Sequence, residues 1–195
     1  MSNNFIDRVE LFQMRNMLME VALDRVEATF GVVLRSQEEE IEDKDPDYYP
    51  QFEESLRQEA RIMSIHYEAF YCLERSIRRI INEKMRDYFK SDWWETQVKD
   101  EIRKNVEANL KREIDAGITP RSEDRIDYTT FGELGDIVRG NWEAFDDLFN
   151  SQRAFNRIMT NLNMLRGPIA HSCPLHKSEA LRLTLTIEDW FRLME

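Results

Sequence analysis

Between Gln51 and Ala116 the chain contains neither glycine nor proline. A β-rich fold reverses direction roughly every eight to twelve residues and uses those two residues to do it. The stretch therefore predicts long helices, and the rest of the chain agrees, with 6 Gly and 5 Pro in 195 residues. Within it Phe52, Leu56, Met63, Phe70, Ile77 and Ile81 recur in steps of four and seven, with Tyr67 and Leu73 beside them. Such steps fall close to whole helical turns, so this stripe is expected to face the core or a partner helix.

The same reading gives six helices in all. A first runs from about Phe5 to Glu40 and ends in the acidic run 38–43, a solvated helix end. Asp45 to Pro50 reads as a turn-rich connection. A third helix carries Trp94, Val98, Ile102, Val106, Leu110 and Ile114 and is stopped by Gly117 and Pro120. Thr130 and Glu133 have the spacing of a capping box, which starts a fourth helix presenting Leu134, Ile137, Val138, Trp142, Phe145 and Leu148. A fifth runs from about Ser151 to Leu165 with Phe155, Ile158, Met159 and Leu162 inward, interrupted by Gly167 and Pro168. Pro174 suits the first turn of a last helix, reaching about Met194. The four tryptophans, Trp93, Trp94, Trp142 and Trp190, belong to the core. There is no internal repeat. The expected organisation is all-α, with residues 1–50 as an N-terminal helix and acidic connection and 51–195 as one helical domain.

Charge narrows the function. The net charge is −11, whereas nucleic-acid binders are usually basic because neutralising phosphates supplies most of their affinity. That counts against a coating protein but permits an enzyme with a small, locally basic cleft. Two cysteines, Cys72 and Cys173, give no disulfide framework and suit a reducing compartment. The N-terminus lacks the pattern of a signal peptide, and no stretch is apolar for long enough to span a membrane, so a cytoplasmic location is expected.

The candidate site is Arg166 followed, after four residues, by His171. Spacing alone is weak evidence: roughly one such match arises by chance in a chain of this composition. The sequence offers a second, Arg61 to His66, inside an unbroken helical stretch. There, five residues advance about 500° and leave the two side chains roughly 140° apart. Between Arg166 and His171, Gly167 and Pro168 are expected to break the helix, so that both side chains converge near the free N–H groups of the last helix. The residue types suit RNA cleavage. A guanidinium grips a phosphate at two points and stays charged, and an imidazole exchanges protons near neutral pH. RNA carries its own nucleophile, the 2′-hydroxyl, so a site of this kind requires no metal. On spacing alone the same two residues also read as an arginine at a helix C-terminus and a histidine in a turn. His171, Cys173 and His176 lack the fourth ligand and paired spacing of a zinc site. Glu74 and Arg78, four apart, read as a surface ion pair.

The segment Asn163-Met-Leu-Arg-Gly-Pro-Ile-Ala-His171 resembles the Arg-x4–6-His segment of the HEPN superfamily, helical domains that include many metal-independent ribonucleases. Tyr128 to Val138, Asn141 to Phe145 and Pro174-Leu175 resemble one branch, typified by the HEPN domain attached to a nuclear transcript-surveillance endoribonuclease. Tyr67 to Phe70, Ile77 to Ile81 and Trp93-Trp94 resemble the opening helix of that branch. The likeness covers 51–195. Two positions depart from the family: Gly167 stands where a polar residue is common, and Cys173 stands where nucleotide-silenced toxins carry tyrosine.

The resemblance implies an HEPN-like helical bundle with an additional long N-terminal helix. It implies a homodimer in which the two motifs face each other, acting as a metal-independent endoribonuclease in the manner of a toxin or phage-defence effector. Arg166 and His171 are then catalytic, Ser172, Lys177 and Glu74 contact substrate, and no cofactor or metal is required. The partners implied are RNA, a second copy and a neutralising protein, with no membrane. The alternative is a noncatalytic HEPN module for dimerisation or partner binding, which the acidic charge and Gly167 favour.

Overall fold

The computed structural model describes residues 49–195. The expected first helix, the acidic run and the start of the connection after it lie outside the described residues. Among those described there is no strand. A short 3-10 turn, Tyr49–Gln51, comes first.

Helix α1, Glu54–Phe89, is a single element about 54 Å long, as a run without glycine or proline allows. Its apolar stripe is used unevenly. Phe70, Leu73, Ile77, Ile81 and Met85 are buried, whereas Leu56 and Tyr67 are exposed. Only the C-terminal half of the helix is core. Lys90, at φ 72, ends it by donating its N–H to the Arg86 carbonyl.

The stripe from Trp94 to Ile114, expected as one helix, is two: α2, Trp93–Gln97, and α3, Asp100–Asp115. The break is at Val98, whose backbone is extended, a conformation that suits a β-branched residue. Arg103 donates to the Glu95 carbonyl that the break exposes, at 2.9 Å. Trp93 and Trp94 stay buried as an edge-to-face pair, 5.4 Å between centroids. Helix α3 ends as expected at Gly117, where φ is +67. The Gly117 N–H reaches the Ile114 carbonyl and the Ile118 N–H the Glu113 carbonyl, a Schellman arrangement. Arg121 then folds back, its Nε donating to Glu113 at 2.6 Å and holding that carboxyl below its ordinary pKa.

A 3-10 turn, Arg125–Tyr128, leads into α4, Phe131–Gly140. The capping box forms in full: Thr130 Oγ1 accepts from the Glu133 N–H, and Glu133 accepts from the Thr130 N–H. The helix is shorter than its apolar pattern suggests. Gly140 ends it, Trp142–Ala144 form a 3-10 turn, and Phe145 and Leu148 lie beyond in the turn before the next helix. These side chains still pack on the core because α4 and the next helix meet closely there. Phe149, outside the expected pattern, is central: its ring lies 5.1 Å from Phe155 and 5.4 Å from Trp190. Trp93, Trp94 and Trp190 are buried, and Trp142, partly buried, packs on the core against Phe149 and Phe155.

Helix α5, Gln152–Ala170, is capped by the Ser151 side chain. It runs straight through Gly167 and Pro168, against the expected break. Proline removes one backbone bond, to the carbonyl of Met164 four residues back, and Met164 is exposed, so the loss falls at the solvent side of the helix. Gly167 has no steric role, since a Cβ there would meet nothing within 4 Å. The last helix, α6, is Lys177–Arg192, so Pro174 lies before it and not in its first turn; His176 is the N-cap and accepts from the Ser178 N–H. Helix α5 packs against α4, α6 and α1, and this layer holds the candidate site.

Candidate functional site

Helix α5 presents Arg166 to α1. Arg166 Nε donates to Glu74 Oε2 at 3.1 Å, across 92 positions of sequence. Glu74 is only 17% exposed and its other oxygen accepts from Arg78 Nη2. The expected surface ion pair between Glu74 and Arg78 is therefore an interior one. Arg78 is buried because the 126–129 turn closes over it: Nη1 donates to the Ile126 carbonyl and to Thr129 Oγ1, and Nη2 to the Thr129 carbonyl at 3.0 Å. Sequence alone could not single out Arg78, since its i,i+4 spacing to Glu74 is the same on a solvated face as on a buried one.

This chain of contacts fixes Arg166 by one edge. Among the described residues its two Nη groups have no partner, so the fork used for two-point phosphate recognition faces outward. It opens onto a cleft of about 220 Å³ lined by Tyr67, Tyr71, Glu74, Arg75, Arg78 and Ile169, among others. The local charge is cationic, with three arginines around one carboxylate in a chain of net charge −11.

His171 is placed differently. It is the C-cap of α5, with its N–H on the Gly167 carbonyl at 3.1 Å, and its side chain is exposed. Because the helix continues to Ala170, Arg166 and His171 project roughly 140° apart. The helix break on which the expected convergence within one chain rests does not form. The motif and the Arg61 to His66 segment, where His66 is half-buried in α1, share this divergence. What distinguishes Arg166 is its place: it is anchored by Glu74 at a cationic cleft, near the end of its helix.

Beyond His171 the chain reverses at Ser172, φ 53, which lets the Cys173 N–H reach the Pro168 carbonyl at 2.9 Å and close the helix. Ser172 and Lys177 are exposed on this side, Lys177 at the first position of α6. Of the five residues singled out in the sequence, the structure brings Arg166 and Glu74 together. His171 and Ser172 lie at the reversal that ends α5, and Lys177 at the start of α6. Among the described residues no three His, Cys, Asp or Glu side chains gather as a metal-binding group. No helix among the described residues is long and apolar enough to cross a membrane.

With this arrangement in view, one comparison is decisive: the family model described as Swt1-like HEPN matches residues 68–195. The chain belongs to the Swt1-like HEPN family. The match covers Glu74, Arg78, Arg166 and His171, and with it the all-helical fold expected of an HEPN domain. HEPN membership carries a coarse functional class, ribonuclease-type or nucleotide-binding. Neither the curated proteins nor the solved structures contain a match to the chain.

Proposed function

We propose that this HEPN domain is a metal-independent endoribonuclease that acts as a homodimer. The observation that carries the reading is Arg166, whose guanidinium is held by Glu74 while its Nη fork stays open in a cationic cleft. Arg166 grips the scissile phosphate and stabilises the charge that develops there. His171 accepts the proton of the 2′-hydroxyl, O2′ bonds to phosphorus, and the 5′-oxygen leaves as it takes a proton from solvent water. The products are a 2′,3′-cyclic phosphate and a free 5′-hydroxyl.

His171 of the same chain points away from Arg166, so the pairing is read as one between protomers. Arg166 of each copy meets His171 of the other, and Ser172 and Lys177 border the same substrate path. The reading extends to a cytoplasmic toxin or defence effector held in check by a neutralising protein. A second reading, a noncatalytic module, is favoured by the same divergence: a chain whose motif never pairs across a dimer cannot carry out the reaction.

The test is cleavage of RNA by the purified chain in excess EDTA. The expected outcome is cleavage leaving cyclic phosphate ends, reduced at least about a hundredfold by Arg166→Ala or His171→Ala in folded protein, and unchanged by His66→Ala. Activity lost in EDTA and restored by a divalent ion contradicts the mechanism. Full activity in folded His171→Ala contradicts the site.

A further inference from the structure

A second, larger cleft of about 460 Å³ lies on the other side of Tyr71, between α1 and residues 124–127. Tyr71, Arg75 and Arg78 line both this cleft and the one that holds Arg166, so the two form one track across α1. At the junction Tyr71 is 54% exposed, and the Tyr67 ring lies 6.1 Å from it. Arg75 is exposed and spends only Nη1, on Asp127 at 3.0 Å, which leaves its remaining donors for a ligand. Beyond Tyr71 the outer cleft is bordered by Ser76, Asn82 and Asp124.

We infer that the outer cleft is a subsite for an unpaired nucleobase of a single-stranded RNA whose scissile phosphate lies at Arg166. This rests on the ribonuclease reading of Arg166. The base stacks on Tyr71, an interaction available to any base with a free face, and the intervening phosphate meets Arg75. At the outer end Asp124 offers a carboxylate to the amino groups of a base edge, while Arg79 on the same rim pairs with Glu83 at 3.9 Å. A paired base keeps both faces within its duplex and cannot enter. The domain thus selects single-stranded RNA through residues outside its Arg–His motif.

The test is binding of a fluorescein-labelled 2′-O-methyl oligonucleotide, whose blocked 2′-oxygen prevents cleavage, followed by anisotropy. The single strand is expected to bind the parent, and the same strand annealed to its complement to compete poorly. Tyr71→Ala and Arg75→Ala are each expected to weaken binding at least about fivefold, and Tyr71→Phe, which keeps the ring, to restore it. Tyr71 is exposed, so neither replacement disturbs the core. Unchanged binding by Tyr71→Ala, equal competition by the duplex, or no binding by the parent overturns the subsite. Cleavage by the parent alongside unchanged binding by Tyr71→Ala overturns the subsite alone. Tyr71-dependent binding without cleavage by any variant overturns the ribonuclease reading and leaves the subsite standing.

Discussion

Arg78 is the residue on which the site's geometry depends. Its guanidinium joins three pieces of chain: the Glu74 carboxylate on its own helix, the Ile126 carbonyl, and the side chain and carbonyl of Thr129. Removing it takes from the Thr129 carbonyl its side-chain donor and frees Glu74 from one of its two partners, while the Ile126 carbonyl keeps the Thr129 N–H and hydroxyl. Breaking a buried pair from one side costs roughly 3–5 kcal/mol, several times the worth of the exposed pairs along the same helix. We expect Arg78→Met to lower stability by about 3 kcal/mol in urea denaturation, read as a lower midpoint at unchanged slope. Arg78→Lys recovers little of it, because one ammonium cannot span acceptors set for a planar fork. Stability within about 1 kcal/mol of the parent would show that the 126–129 turn does not rely on this residue. The contrast with Glu74 is instructive. Sequence marked Glu74 as a site candidate through the family, whereas Arg78 becomes visible only once the turn that covers it is placed.

At the scale of elements, legibility followed the range of the interaction. The capping box at Thr130 and Glu133 and the Gly117 stop are set by a few adjacent residues, and both form as read. The Trp94 to Ile114 stripe misled because steps of four persist across Val98, where the backbone leaves the helix while the side chains keep facing the core. The Gly167-Pro168 pair misled in the opposite sense. Both are poor helix formers, yet in the last turn proline forfeits a single bond and glycine only entropy, against a helix already held by Phe155, Ile158, Leu162 and Leu165. If α5 is continuous there, Gly167→Ala should stabilise the protein by up to about 1 kcal/mol, raising Tm by roughly 2–4 °C, since the added methyl meets open space. A lower Tm would mean that the glycine is needed for a turn, as the sequence alone suggests. The contact of Arg166 with Glu74 spans 92 positions and has no local signature at all.

For the whole molecule the decisive feature is that one chain separates what the motif supplies. Arg166 looks into the cleft beside α1, and His171 looks outward from the end of α5. In the two-fold dimer we propose, each copy would lend its histidine to the other's arginine, giving two composite sites. Defects placed on different chains are then not equivalent to defects placed on one. In a mixed dimer of Arg166→Ala with His171→Ala, one composite site loses both groups and the other keeps both. The direct measurement is RNA cleavage by such heterodimers, isolated through a different affinity tag on each chain. The account predicts that they recover about half the parent activity, while each mutant homodimer stays at least about a hundredfold below it. Heterodimers as inactive as the two homodimers, or a failure to isolate any heterodimer, would contradict a site shared between two copies.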